Sequence, residues 1–224
     1  MIKLVIFDLD GTLLDVSERY YLSVKNALKN FGFTCSSKSK IIKLKRQTLS
    51  GAELISMFIS EDVKNREKLI KICDKERYKL LHSKDYLKLD KPFKDTYKTL
   101  KILKQKRIKI AILTLRDYKK TTIQQLKKFG LLNFFDKIIL IDSRSSKNYA
   151  EVKCDSAKKI CRELKVKTDE CCMVGDSLNE LEAGSRMSAL TVGVTCGLTG
   201  GNILSQKCNK IISGVQEILN IVES

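Results

Sequence analysis

Several residue types that often carry function are scarce in this sequence. Its 224 residues contain one proline, Pro92, one histidine, His82, and no tryptophan. One histidine cannot complete a zinc site of cysteine and histidine ligands, and the eight cysteines include no Cys-x-x-Cys pair. We therefore expect buried free thiols, not a zinc centre or a disulfide framework.

Long hydrophobic runs are absent as well. No apolar stretch approaches the roughly 20 residues that a membrane-spanning helix requires. The start of the chain, Met1–Asp8, meets charge too early for a secretory signal. We expect a cytoplasmic protein that has no membrane partner.

Acidic residues are outnumbered, since 43 lysines and arginines face 26 aspartates and glutamates, which gives a net charge of +17. Such an excess favours anionic partners and is one signature of nucleic-acid binding. Here the charge is spread along most of the chain, and motifs that combine aromatic and basic residues for RNA are absent. We attribute the charge to overall composition and do not expect nucleic acid as a partner.

The chain alternates short apolar runs with longer helical patterns, and its length suits one core domain with one insertion. The predicted strands are Leu4–Phe7, Ile108–Thr114, Ile138–Ile141, Cys171–Gly175, Leu190–Val194 and Lys210–Ile212. The predicted helices are Lys94–Gln105, Tyr118–Phe129, Cys154–Leu164, Glu180–Ser185 and Val215–Val222. Fully apolar strands between helices predict a doubly wound parallel sheet of the α/β class, which binds ligands at the carboxyl ends of its strands.

The interval 15–91 interrupts this alternation. Its apolar residues recur at helical spacing throughout, for example Tyr20, Val24 and Leu28, and it contains no convincing strand. The only proline, Pro92, marks its exit. We predict an inserted α-helical domain over residues 15–91 and an α/β core domain built from residues 1–14 and 92–224.

The segment Asp8-Leu9-Asp10-Gly11-Thr12 directly follows the first predicted strand. Two carboxylates that are two residues apart emerge on the same side of the chain, and Gly11 permits a sharp turn and the close approach of a ligand. Carboxylates so close together repel each other and need a cation or a shared proton. Hard oxygen ligands with open positions suit Mg²⁺.

Three further features lie at or near the ends of later strands. Thr114 offers a hydroxyl and a backbone N–H to an anion. Asp176 follows Gly175, and Glu180 lies four residues later, so that both acids share a helix face and would bind a metal and its water. Lys153 is predicted to open the preceding helix and would neutralise phosphate charge.

In this order, Asp8-x-Asp10-Gly11-Thr12, Thr114, Lys153 and Gly175-Asp176-Ser177-x-x-Glu180 resemble the haloacid dehalogenase superfamily, and especially its phosphoglycolate phosphatases and β-phosphoglucomutases. The resemblance spans essentially the whole chain and implies a Rossmann-like core with a helical cap. It implies that Asp8 forms an aspartyl-phosphate and that Asp10 is the acid/base. With an acid at the position of Asp10, the chain resembles the phosphatases and phosphomutases of the superfamily, whereas dehalogenases lack this acid.

The resemblance also implies a binding set. Thr114 would hold a phosphoryl oxygen, and Lys153 would steady the nucleophile and the transferring group. Mg²⁺ would be bound by Asp8, by the backbone carbonyl of Asp10 and by Asp176, with Glu180 in support. Glu180 departs from the pattern, because the family commonly has Asp at this place.

Four assignments remain alternatives or minor candidates. Lys147 is a rival to Lys153, because the prolines that often surround the lysine are missing. Leu115 and Arg116, which follow Thr114, are candidates for substrate contact, with a surface role for Arg116 as an equal alternative.

The stretch from Arg19 to Ala52 contains eight basic residues and no acidic one, which indicates a solvated face. The sharper hypothesis is that Lys45 or Arg46 contacts a second anionic group of the substrate, because caps in this family close over the active site.

These features together predict a Mg²⁺-dependent phosphatase that acts on a small phosphorylated metabolite, such as a phosphoglycolate or a sugar phosphate. A phosphomutase would keep the same catalytic residues. A nucleic-acid-binding protein with vestigial activity is the alternative of a different class. The protein is expected to be a monomer or a homodimer.

Overall fold

The computed structural model describes residues 1–116, 118–142 and 148–223. They form two compact units. The sheet unit consists of Met1–Asp15, Pro92–Gly197 and the chain from Gly201 onward, and the helical unit consists of Val16–Lys91 together with Leu198–Gly200. Within the described part of the chain, no helix has the length and apolar character needed to cross a membrane.

The sheet unit is built around six parallel strands in the order β5-β4-β1-β6-β7-β8. These strands are β1 Leu4–Phe7, β4 Lys109–Leu115, β5 Lys137–Ile141, β6 Cys171–Gly175, β7 Leu190–Val194 and β8 Lys210–Ile212. Two short strands, β2 Leu14–Asp15 and β3 Lys91–Pro92, pair with each other. The predicted parallel α/β sheet is confirmed.

Both units contain helices. In the helical unit they are α1 Ser17–Asn30, α2 Lys38–Lys45, α3 Gly51–Ser56, α4 Arg66–Leu81 and α5 Lys84–Leu87. In the sheet unit they are α6 Thr96–Gln105, α7 Lys119–Lys128, α8 Tyr149–Leu164, α9 Leu178–Arg186, α10 Gly201–Leu204 and α11 Ile218–Glu223. Short 3₁₀ turns cover Leu132–Phe134, Thr168–Glu170 and Val215–Glu217.

The central strands are apolar along their whole length because both faces of the sheet are covered. Leu4 and Ile6 of β1 join a core cluster with Ala157 and Ile160 of α8. Phe7 points to the opposite face and is fully buried as well, and α6 packs against β4. Burial on both sides explains why these strands read as continuous apolar runs and not as alternating ones.

The largest error in a predicted helix boundary concerns the start of α8. Lys153 was expected to open a helix, but α8 begins at Tyr149, so Lys153 lies in the second turn of that helix. The side chain of Asn148 accepts a hydrogen bond from the backbone N–H of Glu151 and caps the helix there. Lys147, the alternative to Lys153, lies outside the described residues.

The helical unit has a hydrophobic core of its own. Tyr20, Val24 and Leu28 of α1 are buried against residues of α2, α3 and α4. An ion pair between Arg19 and Asp90, at 2.8 Å, is buried within this unit. The apolar spacing noted in the sequence is therefore the spacing of core positions.

Candidate active site

The sheet brings three polar residues to one edge. Asp8 follows β1, Thr114 lies near the end of β4, and Asp176 follows β6. Since β4 and β6 flank β1 and all three run in parallel, their carboxyl ends lie side by side. This place is the topological switch point of the sheet, where such folds bind ligands. The backbone N–H of Asp8 donates to the carbonyl of Val174 at 2.9 Å, which fixes Asp8 beside the end of β6.

The turn after Asp8 is tight and closely packed. Leu9 accepts backbone hydrogen bonds from Leu13 and Leu14, and Gly11 has a positive φ of 79°. A Cβ atom on Gly11 would lie 2.6 Å from Cγ of Asp176, and one on Gly197 would lie 2.5 Å from the same atom. The two glycines thus form a cradle that lets the backbone approach the Asp176 carboxylate.

Lys153 connects two buried carboxylates. Its Nζ lies 3.0 Å from Oδ1 of Asp8 and donates to Oε1 of Glu180 as well. The second oxygen of Glu180 accepts a hydrogen bond from the hydroxyl of Ser177. Both oxygens of Glu180 are therefore engaged, and the lysine is held between Asp8, which follows β1, and Glu180 on α9.

The electrostatic environment of Asp8 is set by opposing influences. Burial raises the pKa of the Asp8 carboxyl above its usual value, and Asp10 acts in the same direction. Lys153 and Arg116 lower it by stabilising the ionised form. The balance leaves the pKa of Asp8 raised. Ionisation of Asp8 is therefore less favourable in the folded protein than in the unfolded chain.

Asp10 is bound by an arginine. Nε of Arg116 lies 3.1 and 3.2 Å from the two oxygens of Asp10, and Nη2 donates to Oδ1. Nη1 of Arg116 donates to Oε1 of Gln125 on α7 at 2.6 Å. The side chain of Arg116 is 3% exposed, whereas that of Asp10 is 27% exposed. Asp10 therefore faces outward with the arginine behind it.

Comparison with known proteins decides the family. Residues 5–194 match the family of haloacid dehalogenase-like hydrolases. The chain belongs to this family. The resemblance expected from the motifs is thereby confirmed, and the protein is an enzyme of the hydrolase class.

Relatives of this hydrolase carry phosphatase names. The chain is 25% identical over 222 residues to pyrophosphatase PpaX of Halalkalibacterium halodurans. This match covers 99% of this chain and 97% of the relative. It is 32% identical over 197 residues to a candidate pyrophosphatase PpaX of Clostridium perfringens, covering 87% and 84%. A crystal structure of a candidate phosphatase from Clostridium difficile has a TM-score of 0.78 at 19% identity, covering 99% and 98%, which shows the shared fold.

The donor set of this haloacid dehalogenase-like hydrolase suits a hard divalent cation. Among the described residues, no group of three or more His, Cys, Asp or Glu side chains is arranged to hold a metal. Asp8 and Asp176 nevertheless follow adjacent strands, and the glycine cradle leaves backbone close to Asp176. One or two carboxylates with open positions are the usual protein contribution to a Mg²⁺ site, because Mg²⁺ keeps several waters. The residues therefore fit Mg²⁺.

The remaining predicted site residues are placed as follows. Thr114 is buried at the end of β4, and the side chain of Leu115 packs against the core cluster of the sheet unit. Arg46 lies in the helical unit, where its carbonyl accepts a hydrogen bond from Gly200. The roles of these three in substrate binding stay predictions.

Sequence reasoning missed two residues that complete the hydrogen-bond networks. The motif around Asp176 includes Ser177 without giving it a role, and Gln125 lies outside every motif of the sequence. The spacing of the helix indicates that Gln125 is buried, because it lies beside Leu126 and three residues after Thr122 on the buried side of α7. A polar residue at a core position of a helix needs a buried partner.

Proposed function

We propose that this hydrolase cleaves a phosphoester or phosphoanhydride bond of a small phosphorylated compound through an aspartyl-phosphate on Asp8. The observation that carries the proposal is the position of the Asp8 carboxylate. It lies at the end of the central strand, 3.0 Å from a lysine that is itself 1% exposed, and next to the end of β6, which Asp176 follows. A buried carboxylate in such a place is a typical nucleophile for phosphoryl transfer.

The first step would be the attack of an Asp8 oxygen on phosphorus. The bond from phosphorus to the leaving oxygen breaks as the new bond forms, and Asp10 gives its proton to the departing oxygen. Lys153 compensates negative charge on Asp8 and on the phosphoryl group. Thr114 offers its hydroxyl and its N–H to a phosphoryl oxygen.

The second step would return the enzyme to its starting state. Asp10, now ionised, takes a proton from water, and the water oxygen attacks the phosphorus of the aspartyl-phosphate. Inorganic phosphate leaves and the Asp8 carboxylate is restored. Mg²⁺ held by Asp8 and Asp176 would supply further positive charge for the phosphoryl oxygens.

Inorganic pyrophosphate is the first substrate to test, because the relatives that cover nearly the whole chain are named pyrophosphatases. Phosphoglycolate and sugar phosphates remain in the panel on the strength of the motifs. The phosphoryl acceptor distinguishes the two family activities. Transfer to water makes the protein a phosphatase, and transfer to a second sugar phosphate makes it a phosphomutase.

The test is phosphate release from pyrophosphate, p-nitrophenyl phosphate and the metabolite panel, with Mg²⁺ or with EDTA. We expect Mg²⁺-dependent release by the wild type and none by Asp8→Asn. In acid-quenched reactions with phosphorus-labelled p-nitrophenyl phosphate, whose leaving group departs without a proton, Asp10→Asn should accumulate labelled protein, because hydrolysis of the intermediate loses its base. Full activity of Asp8→Asn would rule out the aspartyl-phosphate.

A further inference from the structure

Three side chains form a line from the rim of the active site into the interior. The carboxylate of Asp10 accepts hydrogen bonds from Arg116, and Arg116 donates to the side-chain oxygen of Gln125 at 2.6 Å. They come from the loop after β1, the end of β4 and helix α7. Three separate elements of the sheet unit therefore determine where the Asp10 carboxylate points.

Exposure is confined to the outer end of this line. The Asp10 side chain is 27% exposed and that of Arg116 is 3% exposed, and Gln125 is buried as well. Only the carboxylate at the outer end is open to an arriving molecule. Arg116 lies behind the carboxylate, where contact with a substrate is disfavoured.

The guanidinium of Arg116 is used as a fork. Nε reaches both oxygens of Asp10, Nη2 donates to one of them, and Nη1 donates to Gln125. Two parallel N–H donors fix the plane of a carboxylate as well as its position. Because Gln125 holds the opposite side of the fork, the plane of the guanidinium is itself fixed.

We propose that Arg116 and Gln125 are positioning residues for Asp10, with Gln125 holding the guanidinium and the guanidinium aiming the carboxylate. The inference rests on the proposed function, since it gives Asp10 the role of general acid. It assigns Arg116 to Asp10 and not to the substrate. Gln125 acts on the reaction through two intervening residues without touching the substrate.

The dependence on the leaving group reveals such a role. A leaving group that is a stable anion departs without a proton, whereas a basic leaving group needs proton transfer in the transition state. The ratio kcat/KM reports on the steps up to departure of the leaving group when departure is irreversible. A misdirected Asp10 therefore lowers kcat/KM for basic leaving groups and spares it for activated ones.

The experiment compares Gln125→Met, which removes the acceptor at similar size, with Gln125→Glu, which keeps a side-chain oxygen. The matched control is Gln124→Met on the exposed side of the same helix. Kinetics are measured with 2,4-dinitrophenyl phosphate and with phenyl phosphate. For Gln125→Met we expect kcat/KM to fall about tenfold or more with phenyl phosphate, through kcat, as for a weakened general acid.

The same variant should show little change in kcat/KM with the dinitrophenyl ester. Gln125→Glu should recover most of kcat/KM for phenyl phosphate, and Gln124→Met should match the wild type. An equal loss of kcat/KM with both esters would overturn the inference in favour of a structural role, since misfolding does not distinguish leaving groups. A raised KM with unchanged kcat for both would overturn it in favour of substrate binding by Arg116. A wild type inactive on every phosphate compound would refute the proposed function itself, and this inference with it.

Discussion

Lys153 carries a charge at a position that is 1% exposed. It lies between the carboxylates of Asp8 and Glu180, so its removal leaves two buried acids without their shared cation. We expect Lys153→Ala to abolish turnover and to lower the free energy of unfolding by on the order of 3 kcal/mol. Initial rates with Mg²⁺ and urea unfolding measure the two effects.

Two controls belong to this variant. Lys159→Ala changes an exposed lysine of the same helix and should alter neither quantity measurably. Lys147→Ala tests the alternative left by the sequence and should retain activity. An inactive Lys147→Ala beside an active Lys153→Ala would transfer the phosphate-binding role to Lys147.

The pKa of Asp8 has a consequence for stability. Burial raises this pKa in the folded protein, although Lys153 opposes the shift. A carboxyl whose pKa is raised by folding stabilises the fold fully below its unfolded pKa of about 3.9, and that contribution is lost as pH rises through the folded pKa. In metal-free protein, ionised Asp8 therefore opposes folding at neutral pH.

We expect Asp8→Asn to have a higher Tm than the wild type at neutral pH in EDTA, since the neutral amide avoids the burial of a charge. The difference should shrink as pH falls towards about 4, where the wild-type carboxyl is protonated. Thermal unfolding across this pH range measures it. A lower Tm for Asp8→Asn at neutral pH would mean that attraction to Lys153 outweighs burial.

The residues proposed to carry out the chemistry are easier to find in the sequence than those that hold them in place. Asp8 and Asp10 are candidates because two acids and a glycine after an apolar strand form a local pattern that suits phosphoryl transfer. The pairing of Asp10 with Arg116, and of Arg116 with Gln125, depends on how separate elements pack. No spacing along the chain records that packing.

At the level of elements, the turn after β1 is the most constrained segment of the site. Gly11 has a positive φ, and a Cβ there would meet the Asp176 carboxylate. We expect Gly11→Ala to displace Asp176 and to lower kcat/KM by about a hundredfold or more, since small misplacements cost that much. Steady-state kinetics at saturating Mg²⁺ measure the loss.

Gly130 provides a matched control for this substitution. It also has a positive φ, of 68°, but a Cβ there would meet nothing within 4 Å. Gly130→Ala should cost only the backbone strain, about 1–2 kcal/mol of stability, and should leave kcat/KM unchanged. Equal kinetic losses in both variants would contradict the role of the Asp176 cradle.

The six strands of the parallel sheet were predicted with nearly correct bounds, whereas the short pair β2 and β3 and the start of α8 were not predicted. Continuous apolar runs identify buried parallel strands, because helices cover both faces of the sheet and the side chains on both faces are therefore apolar. The start of α8 depends on the cap at Asn148, a short-range signal that apolar spacing does not contain. Amphipathic spacing detects where a helix packs, whereas its ends are set by capping.

For the whole molecule, metal binding should be measurable as stability. A ligand that binds only the folded state stabilises it in proportion to the logarithm of its concentration over Kd. We expect Mg²⁺ to raise the Tm of the wild type relative to EDTA, because it would neutralise carboxylates held together by the fold. Thermal unfolding over a Mg²⁺ titration measures the rise.

Asp176→Asn should lose most of this Mg²⁺ response. Asp85→Asn, which removes a carboxylate whose side chain is 84% exposed, should keep it. An unchanged response in Asp176→Asn would show that the ion binds elsewhere on the protein. The pair of variants separates the proposed site from general attraction of cations to surface acids.

The placement of β1 at the centre of the sheet also governs when the enzyme becomes active during synthesis. Leu4 pairs with Lys109 on one side and with Cys171 on the other, so the first strand to leave the ribosome waits for two of the later ones. Most of the helical unit, residues Val16–Lys91, is synthesised before either of these two strands, although its segment Leu198–Gly200 follows both. An unfinished chain therefore carries Asp8, the proposed nucleophile, at the end of an unpaired apolar strand. Catalytic activity would then report that nearly the whole polypeptide has folded.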